Sequence, residues 1–377
     1  MFQQAVANIA PHETIIVKLS YVQSVDYDAG EFSFRFPMTM TPRFIPGLPV
    51  LAAGDQVGEQ VLSPNTKGRA LPTTEVPDAH LISPPMVEPD QSQINPITLT
   101  VSLDPGLELQ EIGSQYHNIS VKKIGEHFAI TTVENVVPMD RDFVLNWRPV
   151  VGNEPKAAVF RETLDGEDYL MLMMLPPAES AGMGEVGKKM DLLYQKIDSP
   201  IVTDLHIQWP GEAESYPERL PALYLGEPLL VVAKAPHLQG QVHITGITAR
   251  MAWTESLSLE TKSSQPGVGT LWARRKIEAL YDQQIAGRDA EAVRQDIVTV
   301  ALKHRLVSRH TSLVAVEEII ARMPADEVKT SAIPNLVAQG QVAMFPNTAT
   351  NATFTFILGL VGVLIATLIL LAPRLRA

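Results

Sequence analysis

The sequence feature most similar to a cofactor site is a glycine-rich segment after a predicted strand. Residues 182–187, Gly-Met-Gly-Glu-Val-Gly, have the spacing Gly-x-Gly-x-x-Gly, and Asp204 follows them. In dinucleotide-binding proteins these glycines lie in the tight turn directly after the strand, where the pyrophosphate meets a helix N-terminus. Here Pro176, Pro177 and the segment 178–181 separate the strand from the first glycine. The spacing therefore favours a junction loop, and we predict no cofactor.

Other arrangements of chemically active side chains are weaker still. His206 and His243 fall on predicted strands and could approach each other as metal ligands. Histidines that face solvent or form a hydrogen bond are, however, commoner than histidines that bind a metal. Glu317 and Glu318 form an acidic pair on a predicted solvated face. The chain has no cysteine, which excludes thiol catalysis and cysteine-ligated metal sites. The sequence thus predicts a protein that is not an enzyme, with no catalytic residue and no metal site.

The composition bounds the size and the partners of the protein. Its 377 residues are enough for two or three domains. The chain carries 42 acidic and 30 basic residues, and no block of like charge stands out. A net acidic chain repels the phosphate backbone, so we expect no nucleic acid partner.

Alternating apolar and polar segments predict a mainly β chain. The turn residues at 27–30, Tyr-Asp-Ala-Gly, join the first two segments as a hairpin. The region 48–95 is rich in proline, glycine and polar residues and predicts a loop or linker. The predicted strands are 13–22, 31–40, 97–103, 119–124, 127–134, 142–148, 156–163, 168–175, 202–209, 229–235 and 241–259.

Helical spacing of apolar residues appears in three places, the first at 186–197. The other two form a predicted helical pair, one helix with Ala273, Ile277, Leu280, Tyr281 and Ile285 on its face, the other with Val293, Ile297, Val300, Ala301 and His304. Met171, Met173 and Met174 and the tryptophans Trp147, Trp209, Trp253 and Trp272 are predicted core residues.

The C-terminal region predicts a membrane span. Residues 354–372 are apolar and uncharged, and a helix of this length covers the roughly 30 Å hydrocarbon core of a bilayer. Arg374 and Arg376 follow directly, whereas 331–353 contains no lysine or arginine. The positive-inside rule therefore predicts a cytoplasmic tail and an N-terminal bulk outside the cytoplasm. Because the first residues lack the features of a signal peptide, this orientation implies that the chain is a fragment of a longer exported protein.

A pentapeptide precedes the predicted span. It consists of Phe345, Pro346, Asn347, Thr348 and Ala349. It resembles the Leu-Pro-x-Thr-Ala form of cell-wall sorting signals, with Phe345 in place of leucine. The resemblance implies recognition by a sortase and cleavage between Thr348 and Ala349. The alternative is a plain stop-transfer anchor behind a proline-containing linker.

The N-terminal part is similar to the second half of a VIT domain, the module of inter-alpha-trypsin inhibitor heavy chains and vault proteins. The matching segments are 2–9 (Phe-Gln-Gln-Ala-Val-Ala-Asn-Ile), 19–21 (Leu-Ser-Tyr), the turn at 27–30, 35–37 (Arg-Phe-Pro) and 41–47 (Thr-Pro-Arg-Phe-Ile-Pro-Gly). The resemblance implies that the first half of the domain is missing.

The remaining chain resembles the marine proteobacterial sortase target proteins and heavy-chain proteins. The matching segments are 184–194, 199–205, 271–278 (Leu-Trp-Ala-Arg-Arg-Lys-Ile-Glu) and 306–318, which begins Leu-Val-Ser-Arg-His-Thr-Ser-Leu. These families carry a von Willebrand factor type A domain after a Leu-Pro-Pro end, with a metal site that opens Asp-x-Ser-x-Ser. No such motif occurs here, so the resemblance implies that the type A domain is missing.

The predicted fold class is mainly β with a smaller helical part: a partial VIT domain, β-sandwich-like regions, a helical pair and one C-terminal transmembrane helix. The predicted units are 1–50 (VIT half), 51–95 (linker), 96–177 (β-rich region), 178–198 (junction and helix), 199–265 (second β-sandwich-like region), 268–322 (helical pair), 323–353 (linker with pentapeptide), 354–372 (transmembrane helix) and 373–377 (tail). The expected function is a surface protein with an adhesion or protein-interaction role. Its expected partners are a sortase, an extracellular protein and the membrane. The alternative is a membrane-anchored scaffold that no sortase processes.

Overall fold

Strands make up most of the regular backbone, as the alternating sequence pattern predicts. The computed structural model describes residues 16–28, 30–39, 45–47, 50, 72–79, 86–87, 96–152, 154–177, 200–224, 226–248, 251–259, 265–312, 335–336 and 338–339. Within these ranges nineteen strands and two helices form, so the mainly β class with a smaller helical part is confirmed.

Most element bounds after residue 100 follow the predicted segments, but the predicted strand at 241–259 forms two strands, and Leu109–Ser114, Glu214–Tyr216 and Leu223–Tyr224 are strands that the prediction lacks. The strands are β1 Asp26–Asp28, β2 Glu31–Phe36, β3 Met86–Val87, β4 Pro96–Ile97, β5 Thr100–Leu103, β6 Leu109–Ser114, β7 Ile119–Ile124, β8 His127–Thr132, β9 Val137–Pro138, β10 Phe143–Pro149, β11 Lys156–Leu164, β12 Glu167–Leu175, β13 Pro200–Gln208, β14 Glu214–Tyr216, β15 Leu223–Tyr224, β16 Leu229–Pro236, β17 Gln241–Thr248, β18 Met251–Ser258 and β19 Asn335–Leu336. The helices are α1 Val268–Ile285 and α2 Ala290–Lys303.

The predicted N-terminal hairpin is present, but its first strand lies elsewhere. β1 pairs antiparallel with β2, and Tyr27 stands opposite Phe32. Gly30 adopts φ 83° in the turn, a left-handed conformation that glycine tolerates best. Residues 16–25 are not in a strand, so the prediction at 13–22 is wrong over its described part. The reason is that Ile16 is 90% exposed and that no strand within the described residues pairs with this segment to bury its apolar side chains.

The hairpin belongs to a four-stranded sheet, and a three-stranded sheet forms from the following part of the chain. β10 inserts between β2 and β6, which gives the order β1-β2-β10-β6, and β8 lies between β5 and β7. Short pairs of strands, antiparallel β4 with β9 and parallel β3 with β19, complete this part. Phe32 stacks on Trp147 across the first sheet, with ring centroids 5.4 Å apart. These rings belong to a core that extends to the helices.

Two four-stranded sheets pack face to face as a sandwich. Their strand orders are β11-β12-β16-β14 and β15-β13-β17-β18. We call the first one the central sheet, because both of its faces are covered. Between the sheets lies a core that includes Val159, Leu170, Leu172, Met174, Val202, Val231, Val242, Ile244 and Trp253. β12 pairs with β16, so the central sheet joins strands from before and after the segment 178–199.

The two helices cover the other face of the central sheet. Trp272 is buried there, and its indole N–H donates to the backbone oxygen of Glu214 at 3.1 Å. The predicted inner faces are largely confirmed, with Ala273, Ile277, Leu280, Val293, Ile297 and Ala301 buried. Ile285 is the exception at 85% exposed, because it lies in the last turn of α1 before the chain turns at Gly287.

The predicted core methionines and tryptophans are largely confirmed. Met173, Met174, Trp147, Trp253 and Trp272 are buried, and Trp209 is partly buried against the core of the sandwich.

Among the described residues, no helix is long and apolar enough to cross a membrane. The longer helix, α1, has 18 residues but carries five charged side chains, Arg274, Arg275, Lys276, Glu278 and Asp282, which a hydrocarbon core disfavours. This finding contradicts the transmembrane helix of the predicted fold class and the predicted single-pass localisation. The segments 354–372 and 186–197, on which a span and a helix were predicted, lie outside the described residues.

Candidate functional site

Among the described residues, the outer edge of β13 is paired over only part of its length. Pro200 and Val202 pair with β15, whereas from Thr203 to Gln208 the described pairing is with β17 alone. The backbone groups of a strand point alternately to its two sides. Part of the N–H and C=O groups between Thr203 and Gln208 therefore point away from β17, towards an open edge.

A cavity of about 500 Å³ lies along this open edge. We call it the β13 groove. Its lining is Asp204, Leu205, His206, Ile207 and Trp209 on one side and Ser215, Pro217, Glu218, Leu220, Pro221 and Ala222 on the other. The second wall comes from β14 and from the connection that leads to β15. The groove is an open and mainly polar depression, to which Trp209 and Leu220 add apolar surface.

A β-bulge shapes the wall that β13 provides. Thr203 stands opposite Ile247 and His206 opposite Thr245, so Asp204 and Leu205 together face the single residue Gly246. Asp204 adopts φ 49°, which is uncommon for a residue other than glycine. Leu205 is buried in the sandwich, whereas Asp204 is exposed at the groove. Bulges of this kind redirect side chains and are frequent beside functional sites.

Gly246 makes the bulge possible. A Cβ atom at this position would lie 2.5 Å from Cγ1 of Val202 and 3.1 Å from Cδ2 of Leu205. No real side chain accepts the shorter of these contacts, so the two strands can approach only where β17 has a glycine.

The charge of the groove is negative. Asp204 and Glu218 supply two exposed carboxylates, and the lining contains no lysine or arginine. His206 and Ser215 add polar groups that can donate or accept hydrogen bonds.

The two histidines considered from the sequence lie on one sheet face. Gln208 is opposite His243 and His206 is opposite Thr245, so the two rings are diagonal neighbours on β13 and β17. Both are exposed, and Nδ1 of His243 lies 2.8 Å from the hydroxyl of Ser256. Only His206 lines the groove. In the described ranges no group of three or more histidine or acidic side chains could hold a metal ion.

A cluster of charged side chains, Glu167, Lys234 and Lys303, lies between the helices and the central sheet. The carboxylate of Glu167 accepts hydrogen bonds from Lys234 and Lys303 at 2.8 and 2.7 Å. Burial alone would raise the pKa of Glu167, but these two ammonium groups lower it to about 2. The hydroxyl of Tyr169 donates to Glu167 at 3.3 Å and lies 3.5 Å from Nε2 of His304. The cluster thus ties α2 to the central sheet.

Burial also shifts the pKa values of Tyr169 and His304, the two aromatic residues beside Glu167. It raises the pKa of Tyr169 above its ordinary value, and the carboxylate of Glu167 adds to this effect. It lowers the pKa of His304, and the charge of Lys303 adds to that effect. Both shifts favour the neutral side chains at neutral pH.

Two buried carboxylates, those of Glu162 and Asp168, also stabilise the fold through hydrogen bonds. Glu162 of β11 accepts hydrogen bonds from the backbone N–H groups of Gly267 and Gly269, at 3.1 and 2.7 Å. These groups belong to the first turn of α1, where N–H groups lack helical partners and a negative charge is favourable. Glu162 therefore replaces a local cap, since Gly267 offers no side chain.

Asp168 is fully buried between β11 and the loop after β16. It accepts hydrogen bonds from Arg161, from the hydroxyl of Thr163 at 2.7 Å and from the backbone N–H of Leu238 at 2.8 Å. Burial acts to raise the pKa of Asp168, but the three donors outweigh it and the pKa is lowered. All its oxygen atoms are engaged, so it is a structural residue.

The residues selected from the sequence and those of the groove coincide only in part. In the sequence, Asp204 follows a motif similar to that of dinucleotide-binding proteins, and His206 is a weak candidate for a metal ligand. The segment 182–187, the pair Glu317 and Glu318, the pentapeptide 345–349 and the flanking Arg374 and Arg376 lie outside the described residues. Gly246, isolated within a predicted strand, is the signal from which a bulge could have been inferred.

Comparisons of the chain with protein-family models, with curated proteins and with solved structures found no match. The likeness to the VIT and type A families therefore stays a prediction from the sequence.

Proposed function

We propose that the protein is a non-enzymatic interaction protein that binds an extended peptide segment of a partner protein in the β13 groove. The observation that carries this proposal is the open edge of β13, from Thr203 to Gln208, next to a cavity.

A peptide in this place adds a strand to the sheet. Its main chain pairs with the outward backbone groups of β13, and its side chains point alternately to the two faces. The six residues from Thr203 to Gln208 cover less than the roughly 20 Å of a fully extended strand, because the bulge at Asp204 and Leu205 shortens the segment. This length accommodates a peptide of about five residues.

The residues that line the groove are compatible with a bound peptide. Pro217 and Pro221 lack backbone N–H groups and do not compete for the strand edge, while Trp209 and Leu220 offer apolar contact. Main-chain pairing provides affinity, and these side chains provide preference for particular residues.

The sequence supports the same class of function. Its resemblance to heavy-chain proteins implies a role in adhesion or protein contact, and the proposal keeps that role without the metal site of the type A domain. Recognition of residues 345–349 by a sortase remains a prediction.

The test uses a fluorescein-labelled octapeptide of alternating threonine and valine and a partner peptide in which two adjacent central residues are both proline, so that one of them faces β13 in either register. Fluorescence anisotropy should show binding of the first peptide and not of the second, because proline cannot donate to the strand edge. The variant Ala222→Trp, which fills the groove, should lose binding. Ala252→Trp, at an exposed position of β18 outside the lining, is the matched control and should keep it. Equal binding of both peptides, or unchanged binding by a folded Ala222→Trp variant, would contradict the proposal.

A further inference from the structure

The two carboxylates of the β13 groove are not used by the fold. Neither Asp204 nor Glu218 has a hydrogen bond or an ion pair to another residue in the described part of the chain. Some other exposed carboxylates are paired, such as Glu214 with Lys276 at 2.8 Å and Glu291 with Arg294 at 2.6 Å. Two carboxylates therefore face a groove whose lining contains no lysine or arginine.

The carboxylates reach the groove from its two opposite walls. Asp204 belongs to β13 and is placed there by the bulge, and Glu218 belongs to the connection between β14 and β15. A strand inserted between these walls would carry side chains past both of them. Alternate residues of an extended peptide share a face and are about 6 to 7 Å apart, so two such residues can each approach one carboxylate.

We infer that the groove selects an extended segment with lysine or arginine at alternate positions, whose cations pair with Asp204 and Glu218 while its main chain pairs with β13. This inference rests on the proposed function and names the chemistry of the partner. The net charge of −12 over the whole chain acts in the same direction, since it attracts a basic partner at long range. An acidic segment or a nucleic acid would be repelled by the same two carboxylates.

The experiment compares three labelled octapeptides in which valine alternates with lysine, threonine or glutamate. At low salt we expect the lysine peptide to bind about fivefold more tightly than the threonine peptide, because two exposed ion pairs contribute about 0.2–1 kcal/mol each. The glutamate peptide should bind more weakly than both. The advantage of the lysine peptide should shrink as the ionic strength rises.

The double variant Asp204→Asn with Glu218→Gln should remove the advantage of the lysine peptide and leave the threonine peptide unaffected. Asparagine is chosen at 204 because it tolerates the left-handed backbone better than other uncharged residues of this size. The matched control changes Glu212 and Glu227, two exposed carboxylates outside the lining, to glutamine and should keep the advantage.

The results distinguish a failure of the preference for basic segments from a failure of peptide binding in the β13 groove. If none of the three peptides binds, the proposed function fails, and the inference fails with it. If the threonine and lysine peptides bind equally, or if the double variant weakens both to the same extent, only the preference for a basic segment is overturned.

Discussion

At the scale of single residues, most buried charges of this protein stabilise its packing. Asp168 and Glu162 each accept several hydrogen bonds inside the fold, and Glu167 holds two lysines. Buried polar groups are costly unless they are satisfied, so these carboxylates are committed to structure. Asp204 and Glu218 are instead exposed, and both line the β13 groove.

Glu167 predicts a dependence of stability on pH. Its pKa is lowered from 4.5 to about 2 in the folded protein, so its contribution to stability is complete above the unfolded value and is lost as the pH falls through this interval. We expect the free energy of unfolding of the wild type to exceed that of Glu167→Gln at pH 6, and the difference to shrink between pH 4.5 and 2. Urea unfolding at a series of pH values measures it. A constant difference across the series would contradict the assignment.

At the scale of elements, Gly246 links the geometry of β17 to that of the groove. We predict that Gly246→Ala lowers the free energy of unfolding by about 1–3 kcal/mol, because the added methyl group overpacks the contact with Val202. The same variant should weaken binding of the alternating threonine–valine peptide, since the backbone of β13 at the bulge, which lines the groove, must shift.

Gly113→Ala provides the control for this prediction. Gly113 also lies in a strand, and nothing lies within 4 Å of the position that its Cβ would take. Alanine there should leave the free energy of unfolding unchanged or slightly higher. Urea denaturation of both variants compares the two sites, and equal effects would show that the crowding around Gly246 has no special role.

The sequence predicts local elements better than the pairing between them. The strands at 119–124 and 156–163 and the inner faces of both helices follow from periodicity alone. Periodicity fails at 16–22, where alternation finds no partner sheet, and at Ile285, where the helix ends. The groove depends on which strand lies beside β13 and for how many residues. That is a long-range property, and no local pattern contains it.

At the scale of the whole molecule, the central sheet has a core on each face. Leu172 is fully buried on the sandwich side, while Tyr169 and Met173 belong to the core that contains the helices. Because both cores share the same strands, loss of one should destabilise the other, and α1 should unfold together with β17.

Leu172→Ala tests this expectation. We predict a loss of about 2–5 kcal/mol from the removed contacts and the cavity left behind. Hydrogen exchange in increasing urea should show that amides of α1 and of β17 lose protection at the same concentration, shifted equally by the substitution. Leu302→Ala, at an exposed position of α2, should shift neither. Earlier exchange in α1 than in β17 would show that the two cores unfold independently.

The strands on either side of the segment 178–199 are each paired with two neighbouring strands. β12 is fixed by β11 and β16, and β13 by β15 and β17, so the two attachment points are set by the rest of the protein. The entropy of closing a connection grows only with the logarithm of its length, and each doubling costs about 0.6 kcal/mol. We therefore expect the sandwich to tolerate a connection of different length at this junction while its strand pairing stays the same.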